Sequence, residues 1–164
     1  HAISAFARTY GLRAVVTRGS NAFGPNQHGE KLVPVACRRA LSGEPIPLHG
    51  GGTQVRQWVH VEEFAEAILR AAVWRMFSAA LPAEVPTFNI AGPERLAVYD
   101  VAVLFGRRAS RAVVEPQSVA DRPGQDMSYH VSGRRMLSVL GYAPSRRISD
   151  PAELDALLNH YGAR

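Results

Sequence analysis

Short β-branched runs alternate with helical apolar stripes along this chain, and that alternation decides its fold class. Arg13 to Arg18 (RAVVTR) reads as a buried strand. Glu30 to Ser42 reads as a helix stopped by Gly43, with Pro34 in the first turn, where a missing N–H costs little. Ile46 to His49 is a short strand, Gly50 to Gly52 a tight turn, and Val55 to Val61 extended. Glu62 to about Phe77 is a helix with Phe64, Ala67, Ile68 and Ala71 on one face. Thr87 to Ala91 is a strand, Asp100 to Arg107 a helix, Ala112 to Glu115 strand-like, and Ser132 to Leu140 a helix stopped by Gly141. The last helix is signed by Asp150 as cap, Pro151 as first residue and Glu153 completing a capping box. Its stripe is Leu154, Leu157, Leu158 and Tyr161. Residues 19–29 and 117–128 read as loops, and 81–86 as a linker. Strands alternating with helices predict an α/β architecture in one unit, without internal repeats.

The start is unusual. Ile3, Phe6, Ala7 and Tyr10 form a helical stripe that no capping residue precedes, so the chain reads as beginning inside a helix, as a fragment would. Its 164 residues are enough to bury one core. With 46% hydrophobic and 20% charged residues, disorder is excluded. No apolar run reaches the ~20 residues of a helical membrane span. No signal peptide is visible, and Cys37 is the single cysteine, so an internal disulfide framework is excluded and a reducing cytoplasm is the expected compartment.

Of 19 basic residues only Lys31 is lysine, and the formal net charge is +5. That balance favours anionic partners. The arginines come in pairs at most, however, which gives little support to a nucleic-acid surface.

Most catalytic signatures are missing. No G-x-G-x-x-G follows a strand, and Gly50 to Gly52 lacks both the spacing and the G-K-[ST] ending of a phosphate loop. No Tyr-x-x-x-Lys pair exists, because Gln27 stands four residues before the only lysine. The histidines at 1, 28, 49, 60, 130 and 160 are not at metal-ligand spacing, so no metal site is expected. Ser20 and Ser42 lack a nucleophile-elbow context. Glu62 and Glu63 read as stabilising a helix N-terminus.

What remains is a set of polar residues where apolar ones or plain turns are expected. Asn21 follows a strand end, Lys31 sits at a helix start, Arg56 lies in an extended apolar segment, Asn89 interrupts a strand, and Arg122 sits in an Asp-Arg-Pro-Gly turn. Cationic side chains converging on one cleft would suit a phosphate-bearing ligand; separate structural hydrogen bonds are the competing reading.

These residues fall in segments that resemble a known family. RTYGLRAVVTRGSNAFGPNQHGEKLVP (8–34), GEPIPLHGGGTQVRQWVHVEEFAEAI (43–68), FNIAG (88–92), DRPGQD (121–126) and LGYAP (140–144) are similar, in order, to nucleotide-sugar 4,6-dehydratases of the extended short-chain dehydrogenase/reductase group. The nearest pattern is that of the dTDP-glucose 4,6-dehydratases. The resemblance implies the C-terminal, substrate-binding part of such an enzyme, completing a Rossmann-type sheet and carrying a small α/β subdomain. It places the NAD-binding Rossmann half and the catalytic groups upstream of His1, and implies no turnover by this chain alone. The implied reaction oxidises the sugar at C4, eliminates water across C5–C6 and returns the hydride to C6. NAD is the implied cofactor and a nucleotide diphosphate sugar the implied partner, with neither nucleic acid nor membrane. Members of the family commonly form homodimers.

Carried over by position, the substrate side would comprise Asn21, Glu30, Lys31, Leu32, Pro47, Leu48, His49, Arg56, Asn89 and Arg122, and the cofactor side Ser20 and Ala22. Arg56 and Arg122 would take the diphosphate from opposite sides. The chain departs from the family pattern at Ala22 (usually Asn), Phe23 and His49 (Tyr), Gln57 (Asp) and Gln125 (His). Gln57 in place of Asp removes a carboxylate that could orient the Arg56 guanidinium. A nucleotide-sugar epimerase or decarboxylase of the same fold, and a truncated non-catalytic binding module, stay open as alternatives.

Overall fold

The computed structural model describes residues 1–78, 85–109, 116–121 and 123–163. Its first element is α1 (Ala2–Tyr10), ended by Gly11 in the left-handed region. No side chain caps its start, and its apolar stripe faces outward: none of its residues is buried. Then come β1 (Val16–Gly19) and β2 (Asn21–Phe23), the latter a short strand inside the segment that sequence reads as loop. α2 (Leu32–Ser42) ends at a left-handed Gly43. β3 (Ile46–His49) follows, then a turn of 3-10 helix (Gly50–Gly52) and β4 (Val55–His60). α3 (Val61–Phe77) is the longest helix, and β5 (Thr87–Ile90) lies after the undescribed residues 79–84. β6 (Glu94–Ala97), α4 (Val98–Ala109), β7 (Pro116–Val119), α5 (Arg134–Leu140) and α6 (Pro151–Gly162) complete the order. The strand expected at Ala112–Glu115 lies outside the described residues, as does most of the 81–86 linker.

The α/β class holds, and the pairing is mostly parallel. Among the described residues β1 pairs with β5, β2 with β4, and β3 with β7, all parallel, and β4 with β6 is the one antiparallel pair. Parallel pairs need crossovers, and α2, α3 and α4 lie in the connections. The core forms two clusters. One joins β3 to α2, α4 and α6 through Cys37, Leu48, Phe105, Leu157 and Tyr161, among others. The other sits between α3 and the β1–β5 pair around Ala67, Ala71, Phe88 and Ile90. Ile68, expected on the buried face of α3, is exposed; Trp74 takes the inward place and meets Phe88 edge-on at 5.3 Å. Burial in the first cluster pushes the Cys37 thiol up to about 12, so this sulfur stays a protonated, inert packing group.

The capping box expected at α6 does not form. Asp150 makes no side-chain cap bond. Glu153 accepts instead from Arg146, whose guanidinium also reaches Glu62. Glu63 accepts from the Ser145 and Arg146 backbone N–H groups. The α3 N-terminus therefore holds the 145–146 segment through carboxylates, and that long-range use outcompetes the local cap.

His60 lies inside this cluster, 2% exposed and edge-on to Phe23. Its Nδ1 accepts from the Glu62 N–H at 3.3 Å, so Nε2 carries the proton of the neutral ring and faces Glu153 at 3.7 Å. Burial, aided by Arg146, holds its pKa below the ordinary 6.5, against the opposing pull of Glu153, Glu62 and Glu63. A lowered folded value means that the unfolded chain takes up the proton first as pH falls. The contribution of His60 to stability is therefore full above 6.5 and is lost below it. Asp155, whose carboxyl is held below its ordinary 3.8 by the Arg108 hydrogen bond, acts only in a more acidic range. We expect the urea midpoint to fall between pH 7 and pH 5, and His60→Asn, which keeps a capping acceptor, to flatten that slope. An equal slope in both proteins would remove His60 as the cause.

Candidate functional site

Five segments converge on one cleft of about 670 Å³. β2 and β4 run parallel with Asn21 opposite Trp58. Side chains two apart on a strand share a face, so Arg56 and Trp58 both line the cleft beside Asn21. The corner before α2 brings Glu30, Lys31 and Leu32, and β3 brings Pro47, Leu48 and His49. Gln125 closes the wall from the 120s loop.

Apart from the Glu30 carboxylate, the charged groups lining the cleft are donors. Lys31 is the N-cap residue of α2, yet its side chain makes no cap bond. Its Nζ is 4.0 Å from Glu30 and largely exposed, so the pair is a weak one and the ammonium is available. The uncapped first turn of α2 adds its partial positive charge. Arg56 donates through Nη2 to the Asp126 carbonyl at 2.7 Å and through Nη1 to its own strand at Val55. Its guanidinium lies 4.9 Å over the Tyr129 ring. The Tyr129 hydroxyl donates to Asn21 Oδ1, which leaves the Asn21 amide N–H₂ free to donate outward. His49 lies 2.7 Å from the Ala120 carbonyl through Nδ1, so Nδ1 carries the proton and the β3 end is tied to the 120s loop.

Gln57 plays no part in orienting Arg56. It points to the opposite face of β4, where it is 7% exposed. Its Nε2 donates to the Gly92 carbonyl at 2.7 Å and its Oε1 accepts from the Val131 N–H at 3.0 Å. Arg56 is oriented by Tyr129 and the Asp126 carbonyl, so a carboxylate at position 57 is not what aims it. Tyr129 itself was missed in the sequence, because it lies in a polar stretch without periodicity.

The cleft gathers eight of the ten substrate-side candidates. Asn89 is not among them: its amide donates to the Ser132 carbonyl at 3.2 Å, on the β1–β5 side. Arg122 lies outside the described residues. Ser20 and Ala22 lie outside the cleft. The Ser20 hydroxyl donates to the Ile90 carbonyl and accepts from the Gly92 N–H, and Ala22 packs against the second core cluster. The Ser20 hydroxyl is thus committed within the fold, and the given sequence carries no glycine-rich phosphate loop. Among the described residues no group of three or more His, Cys, Asp or Glu side chains could hold a metal ion. No described helix is long and apolar enough to cross a membrane.

The fold is α/β with mostly parallel pairing, and comparison with known proteins gives the family. Residues 1–91 match the model of the NAD dependent epimerase/dehydratase family. The chain belongs to that family. It is 31% identical over 155 residues to the dTDP-glucose 4,6-dehydratase of Escherichia coli, a match covering 88% of this chain and 41% of that protein. The crystal structure of dTDP-glucose 4,6-dehydratase from Bacillus anthracis in complex with NAD superposes with a TM-score of 0.80 at 27% identity, over 99% of this chain and 49% of that one. The UDP-glucose 4-epimerase of Thermotoga maritima, solved with UDP-glucose, gives a TM-score of 0.80 at 25% identity, over 96% and 48%. The chain thus spans less than half the length of the relatives it matches.

Proposed function

We propose that this chain supplies the nucleotide-sugar side of an NAD-dependent 4,6-dehydratase of the dTDP-glucose type, a lyase. The supporting observation is the convergence of Asn21, Lys31 and Arg56 on one cleft beside the open first turn of α2. A diphosphate carries more charge than one cation offsets, and two cations with an amide donor and a helix terminus suit it. In this reading NAD and the acid/base groups are held by residues outside the given sequence, and the chain alone binds without turnover. NAD supplies hydride transfer when bound; this chain's residues hold and orient the nucleotide.

The test is titration calorimetry of the chain with dTDP and UDP. Saturable binding that weakens with salt is expected; heats no larger than dilution for both would reject the reading. An epimerase of the same fold is the second reading, supported by the Thermotoga maritima likeness. Product mass on the full-length enzyme separates the two. A dehydratase releases one water from the sugar nucleotide, whereas an epimerase leaves the mass unchanged.

A further inference from the structure

We infer that α6 is a brace for the Lys31 corner of the cleft, with Tyr161 as its positioning residue; the inference rests on the nucleotide-binding reading above. The loop 24–29 leads into Glu30 and Lys31. It contains two backbone positions that most side chains avoid, Gly24 at φ 149° and Asn26 at φ 61°. Such positions persist only where the surroundings fix them. The fixing groups come from α6. The Tyr161 hydroxyl donates to the Gly24 carbonyl at 2.8 Å and accepts from the Gln27 N–H at 2.8 Å. His160 Nε2 accepts from the Asn26 N–H at 3.1 Å. Gln27 returns the chain to β2 by donating from Nε2 to the Ala22 carbonyl at 3.1 Å.

The anchor of this brace is rigid. Tyr161 is 4% exposed and belongs with Leu154, Leu157 and Leu158 to the core cluster that includes the buried side of α2. Loop and helix start are therefore located against the same packed surface. One further turn bond, from the Lys31 N–H to the His28 carbonyl at 3.0 Å, passes that placement to the lysine. The two loop bonds of the Tyr161 hydroxyl go to Gly24 and Gln27, neither of which lines the cleft. It acts by removing the freedom of the segment that carries Lys31, so that less ordering is left to be done on binding.

Tyr161→Phe keeps the ring and removes both loop bonds. We expect about tenfold weaker dTDP binding by calorimetry, in line with the loss of one buried and one partly buried hydrogen bond to the same loop. We also expect faster hydrogen exchange at the amides of Asn26, Gln27 and Lys31. In a Lys31→Ala background the same substitution should cost little further affinity, a coupling that a general loss of stability would not produce. Unchanged affinity, full additivity with Lys31→Ala, or an unchanged Lys31 amide would each overturn the brace. If Tyr161→Phe does not fold, His160→Ala, which removes the Asn26 bond and the edge-on ring contact with Tyr161 but leaves the Tyr161 hydroxyl in place, is put through the same comparison. If the wild-type chain binds no dTDP, the nucleotide reading fails, and exchange at the Lys31 amide decides the brace by itself.

Discussion

Gly92→Ala is expected to destabilise the protein by about 4 kcal/mol or more, near the limit of what a domain with ~5–15 kcal/mol of stability survives. Gly92 follows β5 where the chain crosses β4. A Cβ built there would stand 1.6 Å from the Trp58 carbonyl oxygen, 2.2 Å from its carbon and 2.8 Å from the Val59 nitrogen. These are backbone atoms of a paired strand, so no rotamer change relieves the clash. The position is held from both sides: the Gly92 N–H donates to Ser20 Oγ, and its carbonyl accepts from Gln57. Making room for a methyl group would pull β5 from β4 and break both bonds. Urea unfolding followed by circular dichroism measures the effect. A Gly92→Ala chain with a wild-type midpoint would mean that the crossing is looser than described.

The second large effect concerns binding. Arg56→Ala is expected to weaken dTDP affinity about 30- to 100-fold, the cost of one charge-assisted contact of ~2–3 kcal/mol. Arg56 is half-buried, held on Tyr129 and by the Asp126 carbonyl, so little freedom is lost when it meets an anion. Arg56→Lys should recover only part of the loss, because an ammonium keeps the charge but neither the fork nor the stacking plane. Titration of all three proteins at two salt concentrations checks this, with the salt slope reduced in Arg56→Ala. Equal affinity in Arg56→Ala would reject the cleft as a diphosphate site.

Most elements were legible in the sequence because their signals are local. The glycine stops at Gly43 and Gly141 both adopt the left-handed conformation, and β3 falls within its expected bounds. β6 was not legible: Glu94 to Ala97 has no alternation, and it becomes a strand only by pairing antiparallel with β4. The capping box at Asp150 failed for a related reason, since Arg146 and the distant His60 compete for the Glu153 carboxylate. Gln57 shows how adjacency misleads. Next to Arg56 in the chain, it lies on the other face of the strand and serves another part of the fold. For the candidate site, the sequence named the residues on β2, β3, β4 and the α2 corner. It did not reveal Tyr129 or Tyr161, whose partners lie 108 and 137 residues away.

That last separation bears on how the cleft comes into being. A contact spanning 137 residues closes a very long loop, and the entropy lost in closing it is recovered only when α6 docks. While the chain is being synthesised, Asn21 and Arg56 can meet on their paired strands well before the lysine corner has anything to lean on. On the binding reading proposed above, the cleft is assembled in two stages, the strand side early and the lysine side only after residues 151–162 have emerged and folded.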